Sequence, residues 1–119
     1  MTVIYERFKV SQCNSYDWIL NEKLISTMGD SPISPWYHVN DEEIKWLNDK
    51  NLNLLLFARR QDCDDIACFE ILNDRINSIY VVEGWQGNGY EVINIYDNIW
   101  SWLKSVIDDL SFLAQQPPT

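Results

Sequence analysis

The residues best suited to chemistry crowd into the run QDCDDIACFEILND, which holds Asp62, Asp64, Asp65 and Glu70 and ends on Asp74. Carboxylates this dense can pair with Lys or Arg on a partner and speed its encounter. They can also bind a metal, or simply be solvated turn residues. Two of them could supply the acid and base of a hydrolase, but that chemistry needs two carboxylates held apart across a cleft. With eighteen Asp and Glu in the chain such a pair is arithmetically easy and says little. His38 is the only histidine, and Cys63 and Cys68 do not form a CxxC pair. No zinc-type spacing results, and structural or incidental roles suit these three residues. A Ser–His–acid triad rests on geometry in space, which composition does not supply. Gly84, Gly87 and Gly89 lie between two strand-like runs and do not open a helix after a parallel strand. A phosphate loop or dinucleotide fingerprint is therefore not expected, and no cofactor is implied.

Large aromatic side chains offer a second kind of site. Trp36, Tyr37, Trp46, Trp85 and Tyr90 are rigid groups of the sort that anchor protein interfaces. Trp36 follows Pro35 in a loop and Trp85 sits in a glycine turn, so these two are the ones expected at the surface. The competing role for all five is to plug the ends of the core.

Elements must exist to carry these groups, and 119 residues with 46% hydrophobic content suffice for one core without disulfides or metals. Residues 1–114 are expected to form a single domain, with 115–119 as a flexible tail. Net charge is −9. That balance disfavours nucleic acid and suits a basic partner surface. No signal peptide and no run of roughly twenty apolar residues is present, so neither secretion nor a membrane is expected and a cytoplasmic location follows. Three cysteines fit a reducing compartment.

Along the chain, Val3, Tyr5, Phe8 and Val10 alternate imperfectly and predict a strand or an extended arm. SYDWILNEKLISTM predicts a helix from Ser15 to about Met28, capped by Asn14 or Ser15 and stopped at Gly29. After a proline-containing loop, NDEEIKWLNDK predicts a second helix in which Asn40 and Glu43 form a capping box. NLNLLLFA predicts a buried strand, followed by a strand over Ile66–Ile71, a turn at LNDR and strands over Ile79–Glu83 and Tyr90–Tyr96. The last two should pair antiparallel across the glycine turn. Asp97 should cap a final helix burying Ile99, Trp102, Leu103, Val106, Ile107 and Leu110. The fold class is α+β, with a small antiparallel or mixed sheet packed against helices.

LLLFARRQDCDDIACFEI, INSIYVV and YDNIWSWLKSVIDD together resemble the second half of the SMI1/KNR4-like, or SUKH, superfamily. Leu56-Phe57-Ala58 is similar to the family's Leu-Pro-Phe-like step without its proline. Asp64-Asp65 stands in the turn, Cys68-Phe69-Glu70 on the second strand, and Ile99 with Trp102-Leu103 at the helix entry. The family's early Leu-Pro and Tyr motif has no clear counterpart in residues 14–40. The resemblance implies an immunity-type protein that neutralises a bacterial toxin domain by covering its surface, with no catalysis. Acidity would suit a basic toxin such as a nuclease. Partner contacts are then expected from Trp36, Tyr37, Asp62, Asp64, Asp65, Glu70, Asp74 and Trp85. A regulatory interaction domain unrelated to toxins, open to self-association, is the alternative, and a small carboxylate hydrolase is a more distant one.

Overall fold

The computed structural model describes residues 3–49, 52–84 and 90–115. Trp85, the rest of the glycine-rich turn and the tail past Gln115 lie outside them. The described chain is an α+β domain: helices α1 (Val3–Arg7) and α2 (Asn14–Asn21), strand β1 (Trp36–His38), a 3-10 turn (Asp41–Glu43), strands β2 (Lys45–Asp49), β3 (Leu52–Arg60), β4 (Asp65–Leu72), β5 (Arg75–Gly84) and β6 (Tyr90–Tyr96), and helix α3 (Ile99–Ala114). Every strand pairing is antiparallel. The sheet order is β1-β3-β4-β5-β6, and β2 also pairs with β3, so β1 and β2 run end to end along one side of that strand.

Strands β3 to β6 form where alternation and turn residues place them. The β4–β5 hairpin closes on Asn73 and Asp74, both at positive φ, with Leu72 opposite Arg75. A two-residue loop needs that conformation to match strand twist, and Asn and Asp tolerate it. In β3 the register shifts between Leu56 and Ala58, leaving Phe57 as an extra residue. Such a bulge resets the alternation, so Ala58 pairs with Ala67 and His38 comes opposite Ala58. Phe57 then stacks on Phe69 with ring centroids 3.9 Å apart, Tyr16 of α2 meets Phe69 edge-on at 4.9 Å, and Trp102 of α3 meets Phe57 at 5.4 Å. Aromatic pairs in these geometries add roughly 0.5–1.5 kcal/mol each beyond burial. Both larger helices are thereby held on one face of the sheet. Trp102 Nε1 has no hydrogen-bond partner among the described residues despite full burial.

The N-terminal half departs from the periodicity in four places. Residues 3–7 are helical, because Ile4 and Phe8 fall on one side at i and i+4 and Ile4 is completely buried. Helix α2 stops at Asn21, well before Gly29. Lys23 takes the left-handed conformation at φ 56, Leu24 N–H donates to Ile19 O and Lys23 N–H to Leu20 O. This is the pair of bonds that closes a helix end, made with a lysine where glycine is usual. Cys13, rather than Asn14 or Ser15, occupies the N-cap position, without a side-chain cap bond.

The helix expected from Asn40 is a strand instead. Asn40 makes no side-chain cap bond and only one 3-10 turn forms before Ile44 becomes extended. Lys45–Asp49 then pairs residue for residue with Leu52–Leu56. An isolated short helix would have left the side of β3 unpaired, and pairing with an adjacent strand outweighs local helix signals. Trp46 remains exposed at the rim, edge-on to Phe8 at 5.8 Å.

Helix α3 buries Ile99, Trp102, Leu103 and Val106 and half-buries Leu110, whereas Ile107 is exposed. Its cap is Asn98, whose Oδ1 accepts the Ser101 N–H at 2.9 Å, and not Asp97. Asn98→Ala should therefore lower stability by about 1 kcal/mol in urea unfolding, while Asp97→Ala should change it by less than about 0.5 kcal/mol. The reverse ranking would return the cap to Asp97.

Candidate functional site

The acidic turn between β3 and β4 is less free than its sequence suggests. Arg60 donates from Nε and Nη2 to both carboxylate oxygens of Asp62, at 2.8 and 2.7 Å, and holds that carboxyl below its ordinary pKa. The same guanidinium lies 5.9 Å from the centre of the Trp36 ring. Arg60 thus offsets the charge of Asp62. Asp62 and Asp64 are exposed and Asp65 is half-buried at the start of β4. The loop is closed by Gln61 N–H to Pro35 O and Gly84 N–H to Asp64 O, at 2.8 and 3.1 Å.

Other residues expected at a partner surface are placed elsewhere. Trp36 is buried, with only 6% exposed, because β1 pairing puts it opposite Arg60 and against Trp102 at 5.4 Å. Its surface role is corrected to a core role. Glu70 is also buried, accepting hydrogen bonds from Asn77 Nδ2 at 2.9 Å and Tyr80 OH at 3.1 Å. Both carboxylate oxygens are engaged internally, and the side chain is withdrawn from any contact surface. Asp74 is exposed in the β4–β5 hairpin, at the other end of β4 from Asp62 and Asp64, where its carbonyl accepts the Ser11 N–H. The five acids therefore do not form one patch. Tyr37 is half-buried on β1 opposite Arg59. Trp85 lies outside the described residues.

A hollow of about 910 Å³ opens between the end of α2, the segment after it and residues 38–44. At its base the Tyr16 hydroxyl is hydrogen-bonded to His38 Nε2, and His38 Nδ1 lies 2.7 Å from Val39 O. A carbonyl can only accept, so Nδ1 carries the proton and Nε2 accepts the Tyr16 O–H. Burial lowers the His38 pKa and raises that of Tyr16. Both groups are neutral at pH 7 and fully partnered, which makes the pair a satisfied buried couple. Lys23, Asp30, Asp41 and Glu42 stand around the opening. Cys68 is buried and its pKa pushed up to about 12, Cys63 is exposed, and both are free thiols. Among the described residues no group of His, Cys, Asp and Glu could hold a metal ion.

One exposed aromatic pair escaped the expectations drawn from the sequence. Trp18 on α2 is 51% exposed and Trp100 on α3 is 42% exposed, with ring centroids 5.8 Å apart. Trp100 Nε1 donates to Ser15 Oγ at 2.9 Å, which fixes the indole across the two helix starts. Asn14 and Ser15 complete a shallow hollow of about 340 Å³ with these rings. The signal for Trp100 was present in α3, where it falls off the stripe formed by Ile99, Trp102, Leu103 and Val106. Trp18 carried no such mark, since its neighbour Ile19 takes the buried position.

Fold and surface together define a small antiparallel α+β domain with a rigid aromatic patch. Comparison with family models, curated proteins and solved structures returns no match. Among the described residues no helix is long and apolar enough to cross a membrane.

The His38 environment makes a pH prediction. Unfolded, the imidazole titrates near 6.5, and in the fold burial holds its pKa lower. Between those two values the unfolded chain binds the extra proton, so this contribution to stability is complete above about pH 6.5 and declines as pH falls. His38→Gln should flatten the slope of unfolding free energy between roughly pH 7 and pH 5 relative to the parent, since the carboxylates titrate in both proteins. Equal slopes would remove His38 from the account.

Proposed function

We propose that this chain is an SMI1/KNR4-like binding protein of the immunity type, acting without catalysis. In this reading it neutralises a basic bacterial toxin domain by covering the surface that the toxin uses. The observation that carries the proposal is the Trp18–Trp100 pair, two large indoles held side by side and half exposed. Tryptophan in such a setting gives contact area with little ordering cost and is enriched among residues that dominate interface energetics. The indole faces also suit Lys or Arg side chains, and the net charge of −9 favours approach of a basic partner. The exposed Asp64 then acts at a distance through charge, adding encounter rate more than affinity.

The family reading is supported by the strand-turn-strand-helix order from β3 to α3, the part of the chain that carries the sequence resemblance. The exposed indole pair, and not the resemblance, points to α2 and α3 for the central contact and leaves the acidic turn at the rim. A regulatory partner would use the same surface, and rescue from toxicity separates the two.

Pull-down from the source cell should recover a toxin domain, and co-expression of this chain with that domain should restore growth. Trp18→Ala with Trp100→Ala should weaken binding by about 2 kcal/mol or more, roughly thirty-fold or beyond, and abolish rescue at low expression. Joint charge reversal at Asp62, Asp64 and Asp65 should mainly slow association and make its rate less dependent on salt. Absence of rescue by the parent would overturn the immunity reading, and full rescue by the double tryptophan variant would overturn the assigned surface.

A further inference from the structure

The hollow of about 910 Å³ between the end of α2 and residues 38–44 has no part in the contact assigned to the indoles. Its size is that of a site for a small organic molecule. The floor is hydrocarbon, since Ile25, Val39 and Ile44 are buried there and Leu20 is half-buried. The rim is charged, with Asp30, Asp41 and Glu42 exposed beside a single lysine, Lys23. Among the described residues none of these four is in an ion pair. Arg7 donates to the Asp41 carbonyl at 2.6 Å and holds the 3-10 turn in place, but it does not line the hollow. Helix α2 also ends here, and the carbonyl end of a helix carries partial negative charge. Three carboxylates and a helix end, set against one ammonium, place a negative field over an apolar base.

We propose that this hollow binds an organic cation, an ammonium or guanidinium group on a hydrocarbon stem, with the stem on the floor and the charge among Asp30, Asp41 and Glu42. Such a group suits both halves of the site. Its methylenes leave water on the apolar floor while its head stays hydrated at the open rim. An anion would be repelled by the same carboxylates. A bare metal ion would gain nothing from the floor, and among the described residues no group of His, Cys, Asp and Glu could hold one. The Tyr16 and His38 side chains at the base are bonded to each other, so they hold the floor in shape and leave selection to the rim. Lys23, fixed beside the opening by its left-handed backbone at φ 56, opposes a cation and limits the affinity.

The chemistry has two sources, a Lys or Arg side chain on another protein and a free alkylamine. The inference does not rest on the toxin reading, because either source fits the hollow. The indole pair lies at the start of α2 and this hollow at its end, which keeps the two sites experimentally separate.

Titration of the full chain with n-butylammonium, followed by NMR, should move the methyl signals of Leu20, Ile25, Val39 and Ile44. Half-saturation is expected on the order of 1–10 mM, and the indole N–H signals of Trp18 and Trp100 should stay in place. Lengthening the stem to n-hexylammonium should tighten binding by roughly three-fold for each methylene that reaches the floor. Butyrate should not bind. Asp41→Asn with Glu42→Gln, both at exposed positions, should keep the parent circular dichroism spectrum and weaken n-butylammonium binding roughly ten-fold. Lys23→Asn, which tolerates the left-handed backbone, should strengthen it by about two- to five-fold. N-acetyl-lysine methylamide separates the sources: binding equal to n-butylammonium assigns a protein side chain, and its exclusion assigns a free amine, each in support of a cation site. Floor methyls that do not move with either alkylammonium throughout that range would overturn the proposal. So would equal binding of butyrate, unchanged binding in the folded Asp41→Asn, Glu42→Gln variant, or weaker binding in Lys23→Asn.

Discussion

Phe57 and Phe69 lie face to face across adjacent strands, and the positions of both larger helices follow from that contact. Tyr16 meets Phe69 edge-on and Trp102 meets Phe57. A flat stacked pair presents two broad surfaces, and edge-on partners are the favourable way to cover them. The register shift at Phe57 permits this, because the extra residue carries Ala58, and with it His38 and Trp36, to positions beside the helices. A regular β3 would have presented the next residues on the opposite face.

The surface is a consequence of that interior. Once Trp36 and Trp102 are committed to each other and to Phe57, the indoles left outside on α2 and α3 are Trp18 and Trp100. They meet because α3 lies beside α2, fixed by the Trp100 to Ser15 hydrogen bond. Charge is redistributed in the same manner. Arg60 neutralises Asp62, Tyr80 and Asn77 occupy Glu70, and the dense acids of the sequence are distributed between two ends and the inside of the sheet. An acidic run in sequence therefore becomes a dispersed field, with the rigid aromatic pair as the better-defined contact.

Much of the second half was legible from residue order. Strands β3 to β6 have short apolar or alternating runs separated by turn formers, and the Asn73–Asp74 loop encodes its own backbone geometry. Helix α3 repeats its buried positions every three or four residues, a signal that needs no neighbour to be read. The first half was poorly legible for a related reason. Lys9 and Lys23, not glycine, take the left-handed conformation just after α1 and α2, which no propensity announces. Residues 45–49 carry weak helix signals, and pairing with β3 decides their state.

By itself, the sequence determined an α+β chain, the order of its later elements, its acidity and the buried face of its last helix. Those features arise from local conformational preference, hydrophobic period and summed charge, which act over a few residues or need no geometry at all. Tertiary structure alone decided that β2 is a strand, that Trp36 is core and Glu70 internally bonded, and that Trp18 and Trp100 stand together at the surface. Each of these depends on which backbone and side-chain groups find a partner distant in sequence. A polar or aromatic group has the same intrinsic chemistry before and after folding, and only the contact it makes assigns it to the interior or to a binding surface.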